Sequence, residues 1–383
     1  MLPATQRSAP GCDDVRMFRR TAGQFIQKEF APHHARWCTQ GCPDAAAWTA
    51  AGAAGLLLPD IPQEYGGGGG TFAHAAVVLE ELARAGVQFG AGIQSVVAHY
   101  LLAYGSEAQK RAWLPRMARG ELVGAIAMSE PGAGSDLQGI KASARRDGEH
   151  YVINGSKTFV TNGVRAGLLC LALKTDTAAA GWKGISLVMV ETRGLAGYQA
   201  GRALDKIGMH AQDTCELYFA DMRVPVANLL GPAEGKGFVQ MMEQLPYERL
   251  TVGVSAVAAT ERAVDLTTRY VKERVAFGKP LLELQNTRFQ LAQCATEARV
   301  GRVFLDHCIE RFMAGELDDV TAAMAKYWLT DSEGRVLDAC VQMHGGYGYM
   351  METPIARMWA DGRAQRIYAG SNEIMKELIA WSL

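Results

Sequence analysis

The chain has 383 residues, of which 49% are hydrophobic and 21% are charged, and its formal net charge is −1. This length and apolar content support a large buried core and allow two or three domains. The balanced charge does not favour binding to nucleic acid or to an acidic membrane surface. No apolar run reaches the roughly 18 residues of a spanning helix, so no membrane span is expected.

The eight cysteines show no CxxC pair and no grouping with histidines at zinc-binding spacing, so no metal site is predicted. Cys38 and Cys42 are the only two cysteines close together in the sequence, and free thiols in a reducing compartment are the favoured interpretation. The first residues lack the apolar stretch of a signal peptide. We therefore expect a cytoplasmic protein, or a mitochondrial matrix protein if a transit peptide has been removed.

Helical patterns dominate the first part of the chain. In the run His74–Ala85, Val78 and Leu82 fall on one face of a predicted helix. The glycine-rich run Tyr65–Gly70 interrupts the pattern and predicts a turn. We therefore predict an N-terminal helical domain over residues 1–122.

From residue 123 the apolar period becomes that of strands, and residues 123–232 are predicted to form a β domain. In the last predicted strand, Cys215, Leu217 and Phe219 alternate with more polar residues, which indicates one buried face. The pair Asn154-Gly155 is a strong hairpin signal. The predicted strands are Tyr151–Ile153, Gly167–Lys174, Ile185–Val190 and Cys215–Phe219.

Helical spacing returns in residues 233–383, after the glycines of Gly231–Gly237. Leu291, Cys294 and Leu305 keep that spacing along one long predicted helix. The order helix, strand, helix describes separate layers rather than a βαβ alternation. The chain is therefore predicted to be a multi-domain α+β protein with a C-terminal helical domain over residues 233–383.

The turn Ala127–Asp136 (AMSEPGAGSD) carries glycines flanked by two hydroxyl side chains. Glycines let backbone N–H groups approach a ligand closely, and successive N–H groups in a turn form an anion-binding concavity. Ser129 and Ser135 add donors that can point at the same ligand. Taken alone, a glycine-rich segment of this kind is usually an ordinary Pro-Gly turn.

The segment Lys157–Gly163 changes that interpretation. Phe159 and Thr161 are two residues apart on a predicted strand and therefore project from the same face. Such a pair can lay a ring beside a flat cofactor and donate a hydrogen bond to it. The two segments together indicate a cofactor site in the β domain.

With Arg274–Pro280, Gln342–Tyr349 and Ile367–Ile374, these two segments form a set of five separated motifs. In order and spacing the set resembles the acyl-CoA dehydrogenase family over nearly the whole chain, most closely its long-chain branch. The resemblance implies an N-terminal helical domain, a middle β-barrel domain and a C-terminal four-helix-bundle domain that builds a homotetramer.

The resemblance also implies a base that removes the proton α to a thioester. Much of the family uses a glutamate in a C-terminal loop, where this chain has Ala369. The isovaleryl and long-chain branches place the glutamate on a helix, and Glu248 matches that position. Without the motifs, a glutamate just after Pro246 near a helix start is a common surface residue. A helix start and Arg249 would both lower its pKa, so burial by the acyl chain would have to raise it.

The rest of the cofactor site follows from the same resemblance, and the cofactor it implies is FAD. Ser129 stands where the family usually has threonine, and Phe159 replaces the more usual tryptophan beside the isoalloxazine ring. Thr161 would bond near flavin N5, and Ser135 would contact the pyrophosphate. The implied cofactor-binding residues are Met128, Ser129, Gly134, Ser135, Phe159, Thr161, Arg274, Phe277, Gln285, Gln342, Gly345, Gly346, Ser371 and Glu373.

The implied reaction is dehydrogenation of an acyl-CoA thioester to the trans-2-enoyl-CoA. Glu248 would take the α proton, flavin N5 would take the β hydride, and an electron-transfer flavoprotein would receive the electrons. The thioester carbonyl would accept a hydrogen bond from the backbone N–H of Ala369. Arg274 and Gln342 would lie on the FAD of a neighbouring subunit. The implied substrate-binding residues are Ser135, Tyr247, Arg249, Ala369 and Gly370.

Two alternatives stay open at the level of the sequence. An acyl-carrier-protein dehydrogenase of a biosynthetic pathway would use the same chemistry on a tethered substrate. A non-catalytic flavoprotein scaffold is favoured by Ala369 and opposed by Glu248. An oxygen-using acyl-CoA oxidase fits less well, because that branch usually has a longer chain.

Overall fold

The computed structural model describes residues 13–383. The predicted helix in the N-terminal part begins at Phe72, because Thr71 and His74 form a reciprocal cap at its start. The predicted turn at Tyr65–Gly70 is confirmed, with Gly66 and Gly69 in left-handed conformations. The helices are α1 (Asp13–Phe25), α2 (His34–Gln40), α3 (Ala45–Ala53), α4 (Phe72–Ala85), α5 (Ala91–Tyr104) and α6 (Glu107–Ala118).

The middle of the chain forms one seven-stranded sheet in the order β1-β4-β2-β3-β7-β6, with β5 paired to β4. The sheet curls around its own apolar core, and the predicted alternation in β7 is confirmed, because Cys215, Leu217 and Phe219 are buried while Tyr218 is exposed. The strands are β1 (Gly124–Ala127), β2 (Ser143–Asp147), β3 (His150–Thr161), β4 (Leu168–Lys174), β5 (Ile185–Glu191), β6 (Tyr198–Ala203) and β7 (Thr214–Pro225).

The hairpin predicted at Asn154-Gly155 is wrong. Strand β3 runs straight through this pair, and the turn between β2 and β3 lies at Gly148, whose φ is +59°. The register against β7 shifts between Ile153 and Gly155, so the glycine forms a β-bulge. Its φ is +139°, and a Cβ there would lie 2.7 Å from Ala142. The local turn signal therefore marks a close approach of two strands instead of a chain reversal.

The C-terminal part is helical, and the predicted multi-domain α+β class is confirmed. Helices α7, α8 and α9 pack on one another, and the two short helices that follow pack on α9. Leu291, Cys294 and Leu305 are buried on α8, as their spacing predicts. The elements are α7 (Gly237–Glu273), β8 (Val275–Ala276), β9 (Lys279–Pro280), α8 (Gln285–Met313), α9 (Asp319–His344), α10 (Pro354–Gly362) and α11 (Asn372–Ala380).

Helix α7 is much longer than the sequence suggested. It begins at Gly237 and includes Pro246, so Glu248 lies in its interior and not near a helix start. One apolar core joins residues of all three parts of the chain, among them Leu114, Leu187 and Leu250. Helix α7 therefore carries Glu248 into the junction of the three domains. Within residues 13–383 no helix is both long enough and apolar enough to cross a membrane.

Candidate active site

The carboxylate of Glu248 lies against helix α5. Tyr100 of α5 donates a hydrogen bond to Glu248 Oε1 at 2.9 Å, and Tyr100 is fully buried. Burial raises the pKa of Glu248 to about 7, against the opposing effects of the Tyr100 hydrogen bond and the charge of Arg249. The expectation that an acyl chain must supply the burial is therefore wrong, because the protein already supplies it. A carboxylate with a pKa near 7 suits a general base at neutral pH.

The loop before α11 holds Ala369 in a left-handed conformation, with φ of +54°, and Gly370 follows at +82°. Such a backbone costs a non-glycine residue about 1–2 kcal/mol. The fully buried Lys326 compensates by donating to the carbonyl of Gly370 at 2.6 Å and to Asn372 Oδ1 at 2.9 Å. Ser371 caps α11, since its Oγ accepts from the N–H of Ile374. The loop is thus anchored from inside the domain.

Two buried cations lie near this loop. Burial lowers the pKa of Lys326 to about 8, and the charge of Arg249 lowers it further. Arg249 is itself buried, and its Nε has no hydrogen-bond partner in the part of the chain that the structure describes. Positive groups fixed in a site of low polarity favour negative charge that develops beside them. The arrangement suits a reaction that moves charge from a carboxylate onto a substrate oxygen.

The predicted flavin-contacting segments of the middle domain lie side by side. The N–H of Thr158 donates to the carbonyl of Ser129 at 3.0 Å, which joins β3 to the segment after β1. The side chain of Phe159 is 70% exposed although Val160 beside it is buried. Phe159 has a φ of +56° and the register shifts between Lys157 and Val160, so the regular alternation expected for Phe159 and Thr161 is broken by a bulge.

A buried ion pair holds this surface in place. Lys157 Nζ lies 2.8 Å from Glu130 Oε1 and also donates to the carbonyl of Met128 at 2.8 Å. Glu130 accepts two backbone N–H groups, those of Lys141 and Ala142. Burial lowers the pKa of Lys157 to about 8, with Glu130 opposing that effect. A buried ion pair whose other donors and acceptors are also hydrogen-bonded holds the surrounding backbone in one geometry.

The glycine-rich turn after β1 is open to solvent. Gly134 and Ser135 are exposed, and a Cβ built on Gly134 would meet no atom within 4 Å. An exposed aromatic ring beside an open glycine turn fits a flat ring system that carries an anionic tail. The residues of the middle domain therefore fit FAD, the cofactor that their sequence suggested.

Six of the predicted cofactor residues form a separate surface at the end of the C-terminal domain. Tyr270 of α7 donates to the carbonyl of His344 at 3.2 Å, and this contact brings the ends of α7 and α9 together. Phe277 is 90% exposed. Within residues 13–383 no hydrogen bond connects this surface to the Phe159 surface. Its predicted members, all exposed, are Arg274, Phe277, Gln285, Gln342, Gly345 and Gly346.

Tyr247 lies in a packed interior position. Its side chain is only 3% exposed, its ring centroid lies 3.9 Å from that of His99, and its hydroxyl donates to Asp60 at 3.3 Å. It also packs edge-on against Phe72. Tyr247 therefore packs α4, α5 and α7 together, and its predicted contact with the substrate stays a prediction.

Three residues of the site were missed by sequence reasoning. Lys326 stands alone as a charge within an apolar run, and that signal could have identified it as buried and paired, whereas Lys157 lies between Ser156 and Thr158 and gives no such signal. Tyr100 offered no such signal, because a tyrosine in an amphipathic helix is usually a packing residue. Its partner Glu248 is 148 positions away in the chain.

The raised pKa of Glu248, the exposed ring of Phe159 and the open glycine turn suit a flavin-dependent oxidoreductase. Family models agree: the acyl-CoA dehydrogenase N-terminal domain matches residues 13–121, the middle domain matches 125–222 and the C-terminal domain matches 235–383. The chain belongs to the acyl-CoA dehydrogenase family.

Similar proteins support this assignment. The mitochondrial long-chain specific acyl-CoA dehydrogenase of Sus scrofa is 45% identical over 95% of this chain and 85% of its own length. An acyl-CoA dehydrogenase structure from Geobacillus kaustophilus is 46% identical, with a TM-score of 0.95 over 98% of this chain and 99% of that one. A Mycobacterium smegmatis glutaryl-CoA dehydrogenase in complex with FADH2 is 26% identical, with a TM-score of 0.90 over 97% and 95% of the two chains. FAD is the cofactor of this family.

Proposed function

We propose that the protein dehydrogenates an acyl-CoA thioester to the trans-2-enoyl-CoA, with Glu248 as the base. The observation that carries the proposal is the carboxylate of Glu248, which is partly exposed at the junction of the three domains and whose pKa is raised by desolvation to about 7. Its Oε1 accepts from Tyr100, which leaves Oε2 for the substrate. The usual loop position holds Ala369, which cannot accept a proton.

The chain's own groups account for the proton transfer. Glu248 Oε2 accepts the α proton, and the negative charge that leaves the carboxylate develops on the thioester oxygen. The N–H of Ala369 donates to that oxygen, in the loop that Lys326 holds through the Gly370 carbonyl. The buried charge of Arg249 favours the same redistribution.

The middle domain would hold the isoalloxazine ring of FAD through Phe159, Thr161, Met128 and Ser129, and Gly134 and Ser135 would approach its phosphates. Ser371 and Glu373 would close over the cofactor from the C-terminal loop. When bound, FAD supplies the acceptor for the β hydride.

The exposed surface that contains Arg274, Phe277 and Gln342 supports a site shared between subunits. We infer that these residues contact the FAD of a neighbouring copy in a homotetramer, since they carry exposed apolar and cationic groups without a partner site on the same chain. An electron-transfer flavoprotein would accept the electrons. The seven described cysteines are all free, which suits a reducing compartment such as the cytoplasm.

Anaerobic reduction of the bound flavin by acyl-CoA thioesters tests the proposal. The purified holoenzyme should be bleached by saturated acyl-CoA, most rapidly by long chains, because three relatives of 43–45% identity are long-chain enzymes. The same acyl groups on an acyl carrier protein form the second arm. Faster bleaching by the carrier-protein thioester would favour the biosynthetic alternative, and no bleaching by either would favour the scaffold.

A further inference from the structure

The carboxylate of Glu248 has one hydrogen-bond donor among residues 13–383, and that donor is Tyr100. The hydroxyl of Tyr100 lies 2.9 Å from Oε1, while Oε2 accepts from no described residue. Tyr100 itself is fully buried, so its ring cannot change position without disturbing the packing of α5. The phenol is therefore a rigid donor directed at one of two otherwise equivalent oxygens.

We propose that Tyr100 is a positioning residue for Glu248, which holds Oε1 and so presents Oε2 to the substrate proton. A glutamate has three rotatable side-chain bonds, and a single fixed hydrogen bond removes much of that freedom. Proton transfer is sensitive to small displacements of the base, so this restriction matters to the rate. The inference rests on the proposed function, because it gives Tyr100 a role only if Glu248 is the base.

The electrostatic setting supports this division between the two oxygens. The titratable groups that act on Glu248 or on Tyr100 are Tyr104 on α5, Cys170 on β4 and Arg249 on α7. Burial raises the pKa of Tyr100 and of Cys170 well above their ordinary values, so both stay protonated at neutral pH. Tyr100 therefore acts as a donor throughout the range in which Glu248 titrates. Its hydrogen bond favours the ionised carboxylate and opposes the effect of burial.

The experiment is Tyr100→Phe, which keeps the ring and removes the hydroxyl. Flavin reduction is followed by anaerobic stopped flow at low acyl-CoA concentration across pH, since that regime reports the free enzyme. In the wild type, the acid limb of the pH–rate profile is expected near pH 7. In the variant it should move up by about one pH unit, and the rate at pH 7 should fall roughly tenfold, because a hydrogen bond to a charged group is lost and the base is less well placed.

Tyr104→Phe is the matched control. Tyr104 lies one helical turn further along α5, and its hydroxyl donates to Glu243 at 2.6 Å. It makes no hydrogen bond to Glu248. This variant loses the same group from the same helix and should keep the wild-type acid limb.

A readout that does not depend on turnover is infrared titration of the Glu248 carboxyl band, with Glu248→Gln as the blank. Tyr100→Phe should raise the pKa that this band reports. A ring-fluorinated tyrosine at position 100, whose hydroxyl is a stronger donor, should lower it. Opposite movements in the two variants would show that the hydroxyl itself sets the behaviour of the carboxylate.

An acid limb and a carboxyl band that stay in place in Tyr100→Phe would overturn the inference. Loss of FAD or of thermal stability with an unmoved carboxyl pKa would also overturn it, because Tyr100 would then be a structural residue. Failure of the proposed function is recognised separately. If Glu248→Gln reduces the flavin at a normal rate, the base lies elsewhere, whatever Tyr100→Phe does.

Discussion

Positions 248 and 369, the two candidate sites for the base, differ in backbone conformation and in hydrogen-bond partners. Glu248 lies inside a 37-residue helix packed against two other domains, and burial raises its pKa to about 7. Ala369 lies in a left-handed loop that Lys326 holds by hydrogen bonds. The helix presents a side chain, whereas the loop presents a backbone N–H. If Glu248 is the base, as proposed, the loop at Ala369 needs to supply only a backbone donor.

The largest expected effect comes from removing the carboxylate at position 248 of helix α7. Glu248→Gln keeps the shape of the side chain but cannot accept a proton. Flavin reduction by acyl-CoA should slow by at least about two to four orders of magnitude, while FAD and acyl-CoA still bind. Stopped-flow bleaching measures the rate, and absorbance measures the flavin content.

Glu243→Gln is the control for that variant. Glu243 is exposed on the same helix and accepts from Tyr104, so its neutralisation should leave the rate unchanged. Equal rates in Glu248→Gln and wild type would remove the basis for the comparison.

Restoring a carboxylate at the loop position is the next test. In Glu248→Gln with Ala369→Glu, we expect recovery of roughly tenfold of the lost rate, because both positions should reach the same α carbon. Recovery should be incomplete, since helix and loop present the group at different angles and small misplacements are costly. Ala369→Glu alone should gain nothing. If the double variant stays as slow as the single one, the side chain at position 369 does not point at the substrate.

Loosening the loop should have a moderate effect. Lys326→Met removes the donor to Gly370 and Asn372, which leaves buried acceptors unpaired at a cost of about 1–3 kcal/mol. We expect the reduction rate to fall roughly tenfold with FAD content preserved. Lys376→Met is the control, because Lys376 is half-exposed over the ring of Tyr327. A reduction rate that is unaffected in Lys326→Met would mean that the loop does not depend on this anchor.

The smallest effect is expected for Ala369→Gly. Glycine relieves the left-handed strain by about 1 kcal/mol but increases the conformational entropy of the unfolded chain by a similar amount. Thermal unfolding should therefore change little, and the reduction rate should stay within about threefold, since the N–H remains. A large loss of activity would reveal a role for the methyl group that the comparison does not include.

The sequence predicted the fold class and most strand positions, because apolar periodicity is a local property of the chain. The alternation of Cys215, Leu217 and Phe219 and the spacing of Leu291 and Leu305 are confirmed in the structure. The same local reasoning placed a hairpin at Asn154-Gly155, where β3 continues and forms a bulge against β7. Packing of neighbouring strands overrode the turn preference of two residues.

What the sequence by itself determined was the identity of the chemical groups: a glutamate at 248, an alanine at 369, and an aromatic ring at 159. What only the tertiary structure decided was their physical state. The pKa of Glu248 depends on burial where three domains meet and on Tyr100, 148 positions away. The loop at Ala369 depends on Lys326, a buried lysine from another helix. Desolvation and long-range hydrogen bonds arise only from packing, so the local sequence could not name the partners of these groups.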